Sequence, residues 1–565
     1  MRWPATPGRT AHRCTGRFRN AVSSWMSRPI SEAEMAGPAA FRWPASWHPA
    51  DSRLPFFPAR PRLMNPSRTL LAAVAMAAML SPPAHAAMPP SPIRHVLLIS
   101  IDGMHATDLD RYLRRHPHST LAALAAHGVE YLDAHTAVPA DSFPGLLGIM
   151  TGGTPAATGV YFDVSYDRHL SATEADCRAG RTGTTVAFDE AADGPLDARG
   201  QRTLDASRLP HRPGSCAAVY PHDYLRSNTV FNVIHAAGGY TAWIDKHPVY
   251  EILNGPDGHG IDDLYTPEIG GDYEGEHVKP ADHITGSVRR TERYDAMKAG
   301  ALLDQIAGWN HDHTHRAPVP TLFGINLQAV NVAQKLAGYS AADGTPSATL
   351  DAAIGHCDVL LGQMVAALRK RQLLDATLLV ITAKHGNAPI DRRRLQHVDR
   401  KALRDTIERA APGALAQLTT DQGALIWLHD PAATSRVATA LRAASPSLAI
   451  REVLDGAALA RLFPAPAGDS RVPDLVVIPH AGVIYGKPGD SKLAEHGGFD
   501  DDDTHVALLL SNPQLPHGGE RVAAAVHTTQ LAPSVLQALR LSPQDLDAVR
   551  DQHTRDLPGI DWKRL

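Results

Sequence analysis

The sequence predicts an α/β fold: a largely parallel central sheet with helices on both faces. Short apolar runs, the pattern of strands buried on both sides, alternate with stretches of helical periodicity. The predicted strands are residues 95–101, 129–132, 241–244, 321–327, 377–382, 474–478 and 505–510. The predicted helices include residues 119–127, 349–370 and 529–540. Such alternation is typical of sheets whose crossover connections place helices on both faces.

The first strand and the first short helix have clear ends in the sequence. The run from His95 to Ile101 is apolar after the histidine except for one serine, and Asp102-Gly103 ends it in a turn. The helix predicted at 119–127 begins at a serine, a favoured helix cap, and stops at Gly128.

Composition excludes several classes of protein. With 44% hydrophobic and 20% charged residues among 565, the chain can bury a sizeable core and is not a disordered sequence. The formal net charge of −4 gives no sign of nucleic-acid binding. Four cysteines are too few for a disulfide scaffold or a multi-cysteine zinc domain.

The N-terminal 87 residues differ from the rest of the chain. Residues 1–63 hold 10 Arg, no Lys and 3 acidic residues, and we expect them to be a non-native extension. Residues 64–87 have the layout of a secretory signal, with a basic start, a short apolar run and Ala-His-Ala before the end. We therefore expect a periplasmic or secreted protein of residues 88–565, with no membrane span in the mature chain. The alternative is a genuine basic tail with an internal anchor.

Two insertions are expected within the sheet-forming sequence. Residues 165–225 are polar and rich in Gly and Asp, which predicts a loop or cap, and residues 396–465 predict a small α/β lobe. Cys177 and Cys216 flank an irregular part of the first insertion, and in an exported protein we expect them to pair. Cys357, inside a predicted helix, is expected to be a small buried hydrophobe.

Chemically informative residues follow the predicted strands. Asp102 follows the first strand, and Lys384-His385-Gly386 follows the strand at 377–382. In open parallel sheets, functional residues collect at these carboxyl ends. Ser142 precedes a short predicted helix, and the free N–H groups of a helix N-terminus suit an anionic phosphate.

Taken together and in order, these motifs resemble the alkaline phosphatase superfamily, in its type I phosphodiesterase/nucleotide pyrophosphatase branch. The resemblance covers most of residues 93–545. The motifs that carry it are Ile101-Asp102-Gly103, Ser142-Phe143-Pro144, Met150 to Pro155 with Thr158-Gly159, Lys384-His385-Gly386, His496-Gly497 and His527 to Ser534. It implies an alkaline-phosphatase-like three-layer sandwich and a phosphoric-ester hydrolase, such as a phosphodiesterase, that acts on a small phosphorylated substrate.

The resemblance also implies roles for individual residues. The family uses two divalent metals, usually zinc, and a metal-bound Ser or Thr hydroxyl as nucleophile. Carried over by position, Ser142 is the nucleophile and a metal ligand. Asp102, His385 and His496 are the other expected metal ligands.

Three of the six expected protein ligands are missing. Relatives have Asp where this chain has Lys384, and Asp and His where it has Gln328 and Val332. Gly145 stands where diesterases often have an Asn that touches phosphate. We therefore predict one ion, zinc by the chemistry of its ligands, rather than a pair. Lys384 is a catalytic residue that supplies the second positive charge.

Other side chains offer substitute ligands. Asp245 and His247 follow a buried strand and, with Gln328, are possible additional ligands. The run Asp500 to Asp503 after His496 is another possibility, although a solvated turn explains it as well. A non-catalytic phosphate- or nucleotide-binding protein of the same fold is the alternative to an enzyme. The retained Ser142 favours the enzyme.

Overall fold

Eight strands form the central sheet of the protein, which a computed structural model describes over residues 92–197, 201–270, 283–515 and 518–562. In order across the sheet they are Glu520–Val522, Gly128–Tyr131, Leu508–Ser511, Thr377–Thr382, His95–Ile101, Leu322–Leu327, Thr241–Ile244 and Asp263–Tyr265. Leu508–Ser511 is antiparallel to both neighbours, and the other adjacent pairs are parallel. The predicted extension and signal segment lie outside the described residues.

Hydrophobic cores cover both faces of this sheet. Val96 and Leu98 of the central strand face one core, and Leu97 and Ile99 face the other, because successive side chains of a strand point to opposite faces. Helices on the first face are Ser142–Thr151, Val230–Ala236 and Leu531–Ala538. Helices on the second are Ala106–Arg115, Thr120–Ala125, Val288–Ile306, Ala329–Leu336 and Ala348–Lys370. The predicted three-layer α/β sandwich is confirmed.

Three helices are close to their predicted positions. The helix predicted at 119–127 spans Thr120–Ala125, and the Ser119 hydroxyl caps it by accepting a hydrogen bond from Ala122 N at 3.1 Å. Ala348–Lys370 matches the prediction at 349–370 and buries Cys357, as expected. The prediction at 529–540 corresponds to Leu531–Ala538, which follows a single 3-10 turn.

A second, smaller sheet is antiparallel. Its strands in order are Leu415–Thr420, Ala424–Leu428, Leu475–Pro479 and Ile450–Leu454, and Arg400–Ala410 and Thr434–Ala443 contribute to the core on one face. The strand predicted at 474–478 is present, but its assignment to the main sheet is wrong. Its side chains are buried on both faces of the smaller sheet, so its apolar run looks like that of a central parallel strand.

The segment around residues 165–225 is built from short hairpins. Val164–Asp167 pairs with Thr184–Ala187, and Asp193–Leu196 pairs with Arg202–Leu204. Cys177, in the helix Glu174–Arg178, forms a disulfide with Cys216, which confirms the predicted pair. None of the helices in the described residues is both long and apolar enough to cross a membrane.

The remaining elements are short. The other paired strands are Gln396–Asp399 with Val483–Gly486, and Ala134–His135 with Val526–His527. The other α-helices are Pro155–Thr158, Pro221–Tyr224, Ser445–Leu448, Gly456–Leu459, Asp501–Thr504 and Asp547–Gln552. A 3-10 helix, Pro248–Asn254, follows the strand Thr241–Ile244 and packs its apolar side chains into the first core.

Candidate active site

Four neighbouring strands of the central sheet end in polar residues at one edge. These residues, all buried, are Asp102, Asp245, Lys246, Gln328, Lys384 and His385. The strands that precede them are parallel to one another, so their carboxyl ends meet at the same place. The topology therefore gathers residues that are up to 283 positions apart in the sequence.

Ser142 faces this edge from the first residue of the helix Ser142–Thr151. The Asp141 carboxylate caps the helix by accepting a hydrogen bond from Phe143 N at 3.2 Å. The Ser142 hydroxyl oxygen lies 3.3 Å from His385 Nε2 and 3.3 Å from Lys246 Nζ. A hydroxyl at the positive end of a helix dipole, between an imidazole and an ammonium, is well placed to carry developing negative charge.

Gly145 lets this helix approach the segment after the strand Thr377–Thr382. A Cβ atom at position 145 would lie 2.0 Å from the carbonyl oxygen of Lys384, a distance that no side chain tolerates. The asparagine that diesterases often have here would therefore force the helix and Ser142 away from His385.

Asp102 is the anionic centre of the site. Its carboxylate accepts hydrogen bonds from Asn326 Nδ2 at 2.7 Å and Gln328 Nε2 at 2.6 Å. Lys246 Nζ lies 3.5 Å and Lys384 Nζ 4.0 Å from its Oδ2 atom. Burial alone would raise the pKa of Asp102, but the two ammonium groups hold this pKa far below its usual range. The effect of Lys384 is the larger of the two.

The two lysines are held differently. Lys384 Nζ donates to both carboxylate oxygens of Asp245 at 3.1 Å and lies 4.2 Å from the centre of the Tyr250 ring. Burial lowers the pKa of Lys384, although Asp102 and Asp245 oppose the shift. Burial also acts to lower the pKa of Lys246, but the neighbouring carboxylates outweigh it and this pKa is raised. At neutral pH, Lys246 is therefore a cation in contact with Ser142.

The two histidines of the site are neutral. Burial lowers the pKa of His385 to about 3, and burial together with His385 lowers that of His496 well below its usual value. His385 Nδ1 donates to the Gly386 carbonyl at 2.9 Å, which leaves the lone pair on Nε2, facing Ser142. The rings of His385 and His496 meet edge to face, with their centres 4.0 Å apart.

The possible additional ligands have other partners. Asp245 is engaged by Lys384 and by Trp243 Nε1, and Gln328 donates to Asp102. His247 lies next to Lys246 in the sequence, but its Nδ1 atom bonds the carboxylate of Glu268 instead, at 2.8 and 2.9 Å. In the aspartate run, Asp500 pairs with Arg451, and Asp503 accepts a hydrogen bond from Gly498 N at 3.3 Å.

The donor set fits one divalent ion and not a pair. Asp102 Oδ2 lies 3.9 Å from His385 Nε2, and Ser142 Oγ lies 3.3 Å from the same nitrogen. His496 Nδ1 is buried and makes no hydrogen bond with any described residue, although Glu495 Oε2 lies 3.4 Å away. A carboxylate, a hydroxyl and two neutral imidazoles are ligands that zinc accepts. For a second ion the family positions offer the Lys384 ammonium, an amide and the buried Val332, none of which binds a cation well.

Comparison with known proteins gives the family of this chain. The family model of type I phosphodiesterase / nucleotide pyrophosphatase matches residues 96–501. The chain belongs to this family. A search of curated proteins found no match to this chain.

Several solved structures are similar to this chain in fold. A murine ectonucleotide pyrophosphatase / phosphodiesterase 5 is 14% identical over 80% of this chain and 96% of its own, with a TM-score of 0.50. The inactive variant of that protein, in complex with AMP, is 13% identical over 80% of this chain and 96% of its own, also with a TM-score of 0.50. Wild-type alkaline phosphatase PafA is 15% identical over 84% of this chain and 99% of its own, with a TM-score of 0.56.

Two ammonium groups, those of Lys246 and Lys384, lie in the centre of the site. Lys384 is among the residues that the sequence predicts, whereas Lys246 is not. The signal for Lys246 was its position two residues after a buried strand of the main sheet, the same signal that points to Asp102 and Lys384. His247 lies in the same segment, and sequence alone does not say which of the two side chains faces Ser142.

Proposed function

We propose that this protein is an exported, metal-dependent phosphoric-ester hydrolase that uses the Ser142 hydroxyl as its nucleophile. Family membership and fold support the reaction class. The observation that carries the proposal is the position of Ser142 Oγ, 3.3 Å from both His385 Nε2 and Lys246 Nζ at a helix N-terminus. The Lys246 ammonium stabilises negative charge on the Ser142 oxygen as its proton leaves.

The reaction proceeds in two displacements at phosphorus. Ser142 Oγ loses its proton and forms a bond to phosphorus while the ester P–O bond breaks. The leaving oxygen takes the electron pair of that bond and is protonated to the alcohol, which balances the proton that Ser142 loses. Water then attacks phosphorus, the bond to Ser142 breaks, a proton from the water restores the Ser142 hydroxyl, and phosphate or a phosphomonoester leaves. Lys246 and Lys384 stabilise the negative charge of the phosphoryl oxygens, and Asp102 and Asp245 hold the two ammonium groups in place.

One divalent ion, zinc by ligand type, would be held by Asp102, Ser142, His385 and His496. When bound, it would act as a Lewis acid on a phosphoryl oxygen. Lys384 takes the place of the aspartate that would otherwise help to hold a second ion. The ion would share Asp102 and Ser142 with the Lys246 ammonium, and repulsion between these positive charges disfavours a second ion.

We propose a small nucleotide-type phosphodiester as substrate. Support comes from the family and from a structural neighbour whose inactive variant binds AMP. The second candidate is a protein that binds such a ligand without turnover. It is favoured by the pairing of each lysine with a carboxylate, which leaves the centre with little excess positive charge.

A substrate screen separates the two functions. The purified protein is assayed with nitrophenyl phosphate monoesters and diesters, with and without added zinc, beside its Ser142→Ala variant. Turnover that needs Ser142 supports the hydrolase. AMP binding without turnover in both proteins would support the binding protein. Export is tested separately by N-terminal sequencing of the periplasmic or secreted form, which we expect to begin near Ala86 or Ala87.

A further inference from the structure

A second group of potential metal ligands lies next to the candidate active site. One ligand atom from each of Glu190, His247 and Glu268 lies within 4.8 Å of the other two. His247 Nδ1 is 2.8 and 2.9 Å from the two carboxylate oxygens of Glu268. Glu268 is itself buried, which is unusual for a carboxylate unless it is paired or binds a cation.

Asp193 lies beside these three residues and offers a further carboxylate. It is only 9% exposed, and its carboxyl is hydrogen-bonded to Glu268 and lies within electrostatic range of Glu190. Its Oδ1 atom is buried and has no hydrogen-bond partner among the described residues. Two adjacent buried carboxyls can form a hydrogen bond only if they share a proton, and a bound cation would take the place of that proton.

The four residues connect two parts of the fold. Glu190 and Asp193 belong to the hairpin segment that contains the disulfide, in the 3-10 turn Glu190–Ala192 and the strand Asp193–Leu196. His247 and Glu268 follow two strands at the edge of the central sheet. Glu268 also lines a cavity of about 620 Å³.

We propose that Glu190, Asp193, His247 and Glu268 form a second cation site that binds one divalent transition-metal ion. Three carboxylates and one imidazole suit Zn²⁺ or Mn²⁺, and the imidazole disfavours Ca²⁺, which prefers an all-oxygen shell. The ion connects the hairpin segment to the loops after the strands Thr241–Ile244 and Asp263–Tyr265. It also holds His247, the residue after Lys246, in place. The site does not depend on the proposed catalytic ion and contains none of that ion's ligands.

Zinc titration of the chelator-stripped full-length protein tests this site. The Asp102→Asn variant removes a ligand of the catalytic centre, and we expect it still to bind one Zn²⁺ per chain in calorimetry. Adding Glu190→Gln should weaken that binding at least about tenfold. Glu174→Gln is the matched control, because Glu174 is an exposed glutamate in the same segment and should leave the affinity unchanged.

A zinc-edge anomalous map of wild-type crystals provides a measurement that does not depend on a variant that may not fold. The expected result is a peak between His247 and Glu268, separate from any peak at Asp102. Equal zinc affinity in the Glu190→Gln and Glu174→Gln variants would overturn the proposal. So would an anomalous map with no peak at His247 in crystals soaked in excess zinc.

Discussion

Lys246 donates a hydrogen bond to the Ser142 hydroxyl over 3.3 Å, across 104 positions of sequence. The same ammonium lies 3.5 Å from Asp102 Oδ2, so it connects the proposed nucleophile to the anionic centre of the site. A fixed positive charge beside a nucleophilic oxygen stabilises the alkoxide, as a metal ion does in this chemistry. This contact gives Lys246 a role that can be tested apart from that of Ser142.

Ser142→Ala should abolish turnover and leave the fold intact. The substitution removes the oxygen that forms the bond to phosphorus, so we expect a loss in kcat of at least about 1,000-fold. Circular dichroism and thermal unfolding check the fold. Ser119→Ala is the control, since Ser119 also lies at the start of a helix and caps it. Near-normal turnover in Ser142→Ala would mean that Ser142 only starts its helix.

Lys246→Met should reduce kcat about 100-fold or more, with a smaller change in KM, because the ammonium acts mainly on charge that develops in the transition state. Steady-state kinetics on the best substrate of the screen gives both constants. Lys401→Met, at an exposed lysine of the smaller lobe, should have no effect. An increase in KM with unchanged kcat would show that Lys246 only binds substrate.

The catalytic centre should hold one ion. In a variant that carries both Glu190→Gln and Glu268→Gln, and so lacks two carboxylates of the second cation site, elemental analysis of protein purified without chelators should find one zinc per chain. Adding Asp102→Asn should remove it, because the carboxylate is the only anionic ligand among the four proposed. Lys384→Asp should not raise turnover, since Gln328 and Val332 still offer no proper ligands. A reproducible pair of ions in the variant with Glu190→Gln and Glu268→Gln would contradict the one-ion centre.

Acid should destabilise the protein through His385. Burial lowers the pKa of His385 to about 3, whereas an unfolded histidine titrates near 6.5. Between these values the unfolded state binds a proton that the folded state does not, so the stability present above pH 6.5 is lost as the pH falls towards 3. Urea unfolding at pH 7.5 and pH 5 should show this loss. The difference in unfolding free energy between the two pH values should be smaller in His385→Gln, and substitution of the exposed His118 should leave it unchanged. An equal difference in the wild type and in His385→Gln would contradict the assignment.

Most of the fold could be predicted because its strands and helices follow simple patterns. The apolar run at 95–101 and the helical periodicity at 349–370 correspond closely to observed elements. The strand at 474–478 could be predicted as a strand, but its sheet could not. Burial on both faces gives the same sequence pattern in either sheet, and only the pairing of Leu475–Pro479 with Ala424–Leu428 distinguishes them.

By itself, the sequence determined that Asp102, Lys384 and His385 lie together, because residues that follow neighbouring parallel strands must meet at one sheet edge. Only the tertiary structure decided that Lys246, and not His247, faces Ser142. Adjacent side chains in extended backbone point in different directions, and the choice between them depends on the groups that surround the segment. Here Asp102 attracts the ammonium from one side and Glu268 binds the imidazole on the other, and both carboxylates come from distant parts of the chain.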